Sequence, residues 1–350
     1  MDMSAHPTAS RKAAQPAAIA RWLLFVAFLI LVMVMVGGIT RLTESGLSIT
    51  EWKPVTGTIP PLNEAQWQAE FDQYRHSSQY VLMNQGMTLS AFKHIYFWEY
   101  VHRLLGRLIG LVYALPMLWF FVRGAVPKGQ EPRLFILLLL GGLQGAVGWL
   151  MVKSGLTDRV NVEPAMLAAH LGMALLLMGF VVWTASDMRL FARNPAARSV
   201  RPTAWGGLTV AILFVQILLG AITAGLRAGY VSNSWPLMND HFVPEGIEWW
   251  GSLWLTLTSD PYLVHFLHRW WAWGAAIAIV LMAKRLRGQQ ANGLSSALLA
   301  LVLFQILLGV ATVVTGVSLP IAVAHQVTGA ALLGLTVAGA HRLGEARARA

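Results

Sequence analysis

The stretch Trp98-Glu99-Tyr100-Val101-His102-Arg103-Leu104-Leu105-Gly106-Arg107 puts a carboxylate, an imidazole and two guanidiniums into an otherwise apolar run. Ionisable groups are costly in hydrocarbon and mark a functional site by default. The pattern returns at Val264-His265-Phe266-Leu267-His268-Arg269-Trp270-Trp271, where His-Arg recurs in register and His265 stands where Glu99 stood. Two further histidines, His170 and His325, sit at matching places in later apolar runs. A group repeated in two copies asks for one physical cause.

Two imidazoles on facing helices form an arrangement that holds a flat metal macrocycle. Imidazole suits haem iron, and a chain with no cysteine has histidine as its obvious axial ligand. Zinc fits less well, because neither copy offers a closed four-ligand set or an open three-ligand set. Arg103 and Arg269, with Arg107 a turn further on, are fixed cations suited to bidentate contact with haem propionates or to a supporting role behind the ligands. His265 precedes His268 by one turn on the same face, so it has three open roles: alternative ligand, supporting partner or propionate contact. Glu99 breaks the symmetry of the two copies. A carboxylate there can exchange protons or stabilise developing positive charge, and the competing expectation is a buried ion pair with Arg103 four residues on. The asymmetry suggests that the first copy transforms a haem and the second holds one for electron transfer. His6 and His341 are terminal, and His76, His94 and His241 fall in outer loops, so these five carry no assigned role.

The elements that must position these groups are membrane helices. Of the 350 residues, 56% are hydrophobic and 12% charged, far from the soluble average of roughly a quarter charged. Eight apolar runs, near 22–40, 98–122, 133–152, 164–185, 203–225, 260–283, 295–315 and 320–340, are each long enough to cross about 30 Å of hydrocarbon. The second four repeat the first: Gly220-Ala221-Ile222-Thr223 matches Gly37-Gly38-Ile39-Thr40, Gln305 and Gly309 match Gln144 and Gly148, and His325 matches His170. An even number of helices per copy makes the repeat parallel. The expected fold is an all-α integral membrane protein with eight transmembrane helices in two parallel-repeat four-helix bundles. Its divisions are an inner tail 1–21, a first half 22–185 with a long outer loop 41–97, a linker 186–202, a second half 203–340 and a tail 341–350. The four paired histidines then fall in the first turns of their helices, at similar depth on the outer side.

The net charge of +10 does not point to nucleic acid. With the N-terminus inside, the inner segments, including Arg11, Lys12, Arg123, Lys128, Arg189, Lys284, Arg285 and Arg349, hold 16 Lys/Arg against seven in the outer ones. That bias follows the positive-inside rule and puts both termini in the cytoplasm. Arg11, Lys12 and Arg21 before an apolar core look like a secretory signal, but no small-x-small cleavage site follows and the run is long, so a retained helix is expected.

Gly-Gly-Ile-Thr-Arg-Leu-Thr-x-Ser-Gly-Leu-Ser (37–48), Trp-Lys-Pro-Val-x-Gly-x-Ile-Pro-Pro (52–61), the 98–107 stretch and the four repeated histidines resemble the haem A synthase family over about residues 22–340. The likeness is to the mitochondrial and proteobacterial branch, without the outer-loop cysteine pair of another bacterial branch. The resemblance implies oxidation of a haem O methyl group to the formyl group of haem A for terminal oxidases, through an alcohol and a hydrated aldehyde that loses water. It implies Glu99 as the catalytic carboxylate, His102 and His170 as axial ligands of the substrate haem, and His268 and His325 as those of a haem b cofactor. It implies as surroundings the bacterial inner membrane, and as partners haem O and haem A, the lipid bilayer, a haem O synthase, oxidase assembly factors and further copies of the chain. Two rivals share the paired histidines: a di-haem b-type electron-transfer protein, and a haem transporter or chaperone. The first does not call for a Glu replacing a His in one copy. The second expects broken helices and midplane charges.

Overall fold

A computed structural model describes residues 14–53, 56–157 and 159–349. Arg11 and Lys12 of the inner tail, Pro54 and Val55 of the outer-loop motif and the Arg349 side chain lie outside the described residues. Eleven α-helices occur among those described. Eight are long and apolar enough to span: α1 (Pro16–Leu42), α4 (Leu89–Val122), α5 (Glu131–Leu156), α6 (Pro164–Arg193), α7 (Ala204–Gly225), α9 (Pro261–Gly288), α10 (Asn292–Val314) and α11 (Leu319–Arg349). Three are short and lie in the connections: α2 (Glu64–Arg75), α3 (Ser78–Met83) and α8 (Leu253–Ser259). No strand occurs among the described residues, as expected where every main-chain group must be satisfied within a helix.

The ends of the helices are written locally. Prolines open α1, α6 and α9, where the missing N–H costs nothing. Thr88, Thr203 and Asp260 accept from the first free N–H groups of α4, α7 and α9. Asp260 also accepts from the Glu248 N–H at 2.8 Å, tying the second outer loop to the head of α9. Along the spans, large apolar side chains such as Leu115, Leu118, Val122, Phe180 and Ile277 point outward, the reverse of a water-soluble surface.

α1, α4, α5 and α6 pack as neighbours, as do α7, α9, α10 and α11, and α1, α6, α7 and α11 make the seam between the two sets. This packing is compatible with the expected pair of four-helix bundles. Ile19, Leu23, Leu175, Met188, Ile279, Met282 and Leu286 fill a core that runs through both sets. Gln326 on α11 donates to the Val34 carbonyl of α1 at 3.0 Å, a polar tie across the seam.

Two expectations need correction. α4 begins at Leu89 rather than near residue 98, so His102 lies about three and a half turns into its helix, whereas His170, His268 and His325 lie about two turns into theirs. The 34 residues of α4 make it roughly 50 Å long, more than a bilayer core needs. The surplus extends beyond the apolar span, and its Phe92 and Tyr96 pack on Phe71 and Tyr74 of α2 in a separate aromatic core. His94 is therefore helical and not in a loop.

The second correction concerns His341. α11 continues well past residue 340, and His341 is buried, its Nε2 2.8 Å from Asp187 and its ring against Trp183. Asp187 is 0% exposed and also accepts from Arg133 at 2.6 Å and from the Val200 N–H at 3.0 Å. One carboxylate thus joins α5, α6, α11 and the segment between α6 and α7. Asp187→Ala is expected to destabilise the fold by about 3–5 kcal/mol, the usual result of removing one member of a buried polar network. Thermal unfolding in detergent reads this directly, and a melting temperature equal to that of the native chain would count against it.

Candidate functional site

Four glycines position the four histidines. A Cβ built on Gly37 of α1 would stand 3.2 Å from His102 Nε2, and one on Gly148 of α5 would stand 2.7 Å from His170 Cε1. In the second set, Gly220 of α7 lies in the same way under His268 at 2.8 Å, and Gly309 of α10 under His325 at 3.1 Å. Each imidazole rests on the bare backbone of the preceding membrane helix, an approach that only glycine permits. The sequence shows these glycines as repeat markers. Their use as seats for the rings appears only when the helices are assembled.

The His268 and His325 rings face each other with centroids 6.4 Å apart and planes at 90°. Two metal–imidazole bonds of about 2 Å, with half a ring added on each side, fill that separation. His102 and His170 likewise lie within coulombic reach of one another. A single metal ion held by side chains alone fits poorly, since no group of three or more His, Asp and Glu able to hold one occurs among the described residues. The donor set suits a macrocycle that brings its own equatorial ligands and takes two axial imidazoles.

Beside each pair lies an arginine clamp. Glu99 is 3% exposed; its Oε2 accepts from Ser48 Oγ and the Ile49 N–H, both at 2.7 Å. Its Oε1 accepts from Arg103 Nη2 at 2.7 Å and Nε at 3.1 Å. Arg103 then donates to the carbonyls of Ile49 at 2.8 Å and Glu51 at 3.0 Å, and Arg107 to that of Lys53 at 2.8 Å. The first outer loop is pinned in this way along α4. Lys53 bonds Glu51 and Glu70, which holds its ammonium above the ordinary lysine range. Trp52 stacks on Trp149 of α5 at 5.2 Å.

The second set repeats the clamp with different chemistry. Arg269 Nε donates to His265 Nε2 at 3.0 Å, and its Nη groups donate to the carbonyls of Ser232, Ser234 and Leu237. His265 is buried, and its Nε2 is engaged by Arg269. Arg227 after α7 pairs with Glu44 after α1, so the two outer loops are also joined.

Arg103 and Arg269 direct most of their N–H groups to Glu99, His265 and loop carbonyls, which ties the adjoining loops to α4 and α9. That arrangement leaves little of either guanidinium for a propionate. The expected Glu99–Arg103 ion pair is present, and the carboxylate receives two further hydrogen bonds. Ser48 closes the 37–48 motif, whereas Ser232 and Ser234, which complete the second clamp through their carbonyls, carry no signal in the sequence beyond their place after α7.

Fold and site together define a multi-pass helical membrane protein with two glycine-seated histidine pairs and a buried carboxylate, Glu99, one turn before His102. Residues 20–337 match the model of COX15-CtaA, cytochrome oxidase assembly protein. A protein of Sphingopyxis alaskensis called Heme A synthase is 55% identical over 338 residues, 97% of this chain and 95% of its own length. Proteins with the same name from Novosphingobium aromaticivorans (49% identical, 99% of this chain and 100% of theirs) and Erythrobacter litoralis (52%, 94% and 98%) agree. The chain belongs to the COX15-CtaA family.

Proposed function

We propose that this protein is a haem A synthase, an oxidoreductase that converts a methyl group of haem O into the formyl group of haem A for terminal oxidases. The observation that carries this reading is one buried acid among two otherwise matching sites: Glu99 beside the His102 and His170 pair, with His265 in its place beside His268 and His325. Near full-length similarity to proteins called Heme A synthase supports it. A plain di-haem electron carrier gives no reason for that asymmetry.

The first half is the substrate half, with His102 and His170 as axial ligands of haem O. In the second half His268 and His325 would hold haem b, which would supply one-electron redox chemistry. Glu99 is the catalytic carboxylate. Donors on both oxygens hold it in one orientation beside the site, suited to charge that develops as the methyl group is oxidised. Through Ser48 and Ile49 the same carboxylate holds the outer loop down, which excludes water from the reacting edge. The product forms through an alcohol and a hydrated aldehyde that loses water, a four-electron oxidation of the methyl carbon that requires an external oxidant such as dioxygen to accept the electrons.

The 16-to-seven bias of basic residues supports cytoplasmic termini, with the histidine pairs toward the outer leaflet of a bacterial inner membrane. A haem O synthase upstream, oxidase assembly factors downstream and a second copy of the chain are the partners this reading brings. Incubating the purified protein with haem O, dioxygen and a reductant to cycle the haem, then identifying the extracted haems by mass, tests it. Haem A is the expected product; unchanged haem O with intact haem b would instead favour the electron carrier.

A further inference from the structure

Most of the arginines on the outer side are engaged. Arg103, Arg107 and Arg269 donate to loop carbonyls, with Glu99 and His265 as further partners, and Arg227 bonds Glu44 and Asn161. Arg41, in the last turn of α1, is different. Its side chain is largely buried, yet among the described residues its guanidinium forms no hydrogen bond and no ion pair. Its electrostatic neighbours are Tyr230, Arg227 and Glu44, and Glu44, the one acid of the three, is held by Arg227. Two cations therefore share one carboxylate. A buried cation without an acceptor is costly, and the partial negative charge at the end of α1 offsets only part of that cost.

Arg41 also stands between the two histidine pairs. One turn deeper, Gly37 seats His102, and a Cβ on Gly38 would stand 3.0 Å from Oε1 of Gln326, the residue after His325. Residues three and four apart share a face of a helix, so Arg41 lies about 5 Å nearer the outer loops on the face that touches both halves. In the register that sets Gly37 against Gly220, Glu44 corresponds to Arg227, whereas Arg41 corresponds to Ala224. The Glu44–Arg227 pair thus joins like positions of the two copies, and Arg41 is a cation that only one copy supplies.

We propose that Arg41 binds a propionate carboxylate of a porphyrin held by the histidine pairs. This rests on the haem A synthase reading and adds to it a binding residue, in place of the arginines that the loops and Glu99 occupy. A propionate brings the acceptor that the guanidinium lacks, in a planar geometry that its fork matches. The carboxylate comes from haem O at the first pair or from haem b at the second, and the two sources are separable.

Titrating the purified, haem b-loaded protein with haem O, as free acid and as dimethyl ester, reads the first pair, and transfer of haem b to excess apomyoglobin reads the second. Arg41→Met removes the charge and keeps an unbranched stem. It is expected to weaken binding of the free acid, or to hasten haem b loss, about 10–100-fold, the range for a charge-assisted contact. The arm that responds names the porphyrin. If it is haem O, the dimethyl ester binds the variant as it binds the native chain. If it is haem b, its reduction potential also falls, because a nearby cation disfavours the ferric state. Arg41→Lys, with the charge but not the fork, is expected to recover part of the loss, and Arg41→Gln carries the test if Arg41→Met does not fold. Three results would overturn the proposal: both arms within about twofold of the native chain, acid and ester weakened alike, or faster haem b loss at an unchanged potential. Failure of the functional reading is distinct, since haem O would then stay unconverted while its acid-to-ester ratio still reported on Arg41.

Discussion

Glu99→Ala is expected to keep both porphyrin sites and to lose formyl formation by a factor on the order of 10²–10³, the scale for removing a preorganised charge next to a reacting group. The effect has two parts that a second variant separates. Alanine removes the carboxylate and also frees Ser48 and the Ile49 N–H, so the loop loses two ties to α4 and keeps those through Arg103 and Arg107. Glu99→Gln keeps an acceptor for the loop while removing the charge. If fixed charge is what the reaction needs, the two variants lose product formation alike; if loop closure is, Glu99→Gln retains most of it. Product is read as the ratio of haem A to haem O in extracts, and haem retention from the pyridine haemochrome spectrum. Full product yield from Glu99→Ala would remove Glu99 from the mechanism.

The second large effect is at a residue with no side chain. Gly220→Ala puts a methyl group 2.8 Å from His268 Cε1, closer than atoms tolerate. The ring is the movable partner, so the fold survives and the imidazole swings out of line with His325. The expected result is loss of most low-spin haem b with little change in melting temperature. Gly110→Ala is the matched control, because a Cβ there meets nothing within 4 Å. Equal haem content in the two variants would mean that the glycine seat does not set the ring.

Most of this was legible in the sequence, and the exceptions have physical reasons. The eight spans and the repeated histidines are visible because lipid forbids polar groups except where they are used. The true start of α4 is hidden because Leu89–Phe97 mixes Ser90, Lys93 and His94 with aromatics that pack on α2 rather than on lipid. His341 reads as part of a tail because nothing local says that its partner is Asp187, 154 residues away. The carbonyls of residues 232–237 are equally silent, since main-chain acceptors leave no trace in residue type. The Gln-x-x-x-Gly spacing of Gln144 and Gln305 is visible in the sequence, while the contact of Gln216 with His268 appears only in the assembled fold.

The central claim is that paired imidazoles, one pair in each half, grip porphyrins from opposite sides. Low-spin haem spectra of the four purified histidine variants, recorded after loading with haem O, test it most directly. The account predicts that His268→Ala and His325→Ala each lose the haem b signal, while His102→Ala and His170→Ala keep it and fail to hold haem O. A haem b signal left intact in both His268→Ala and His325→Ala would contradict it and place the ligands elsewhere.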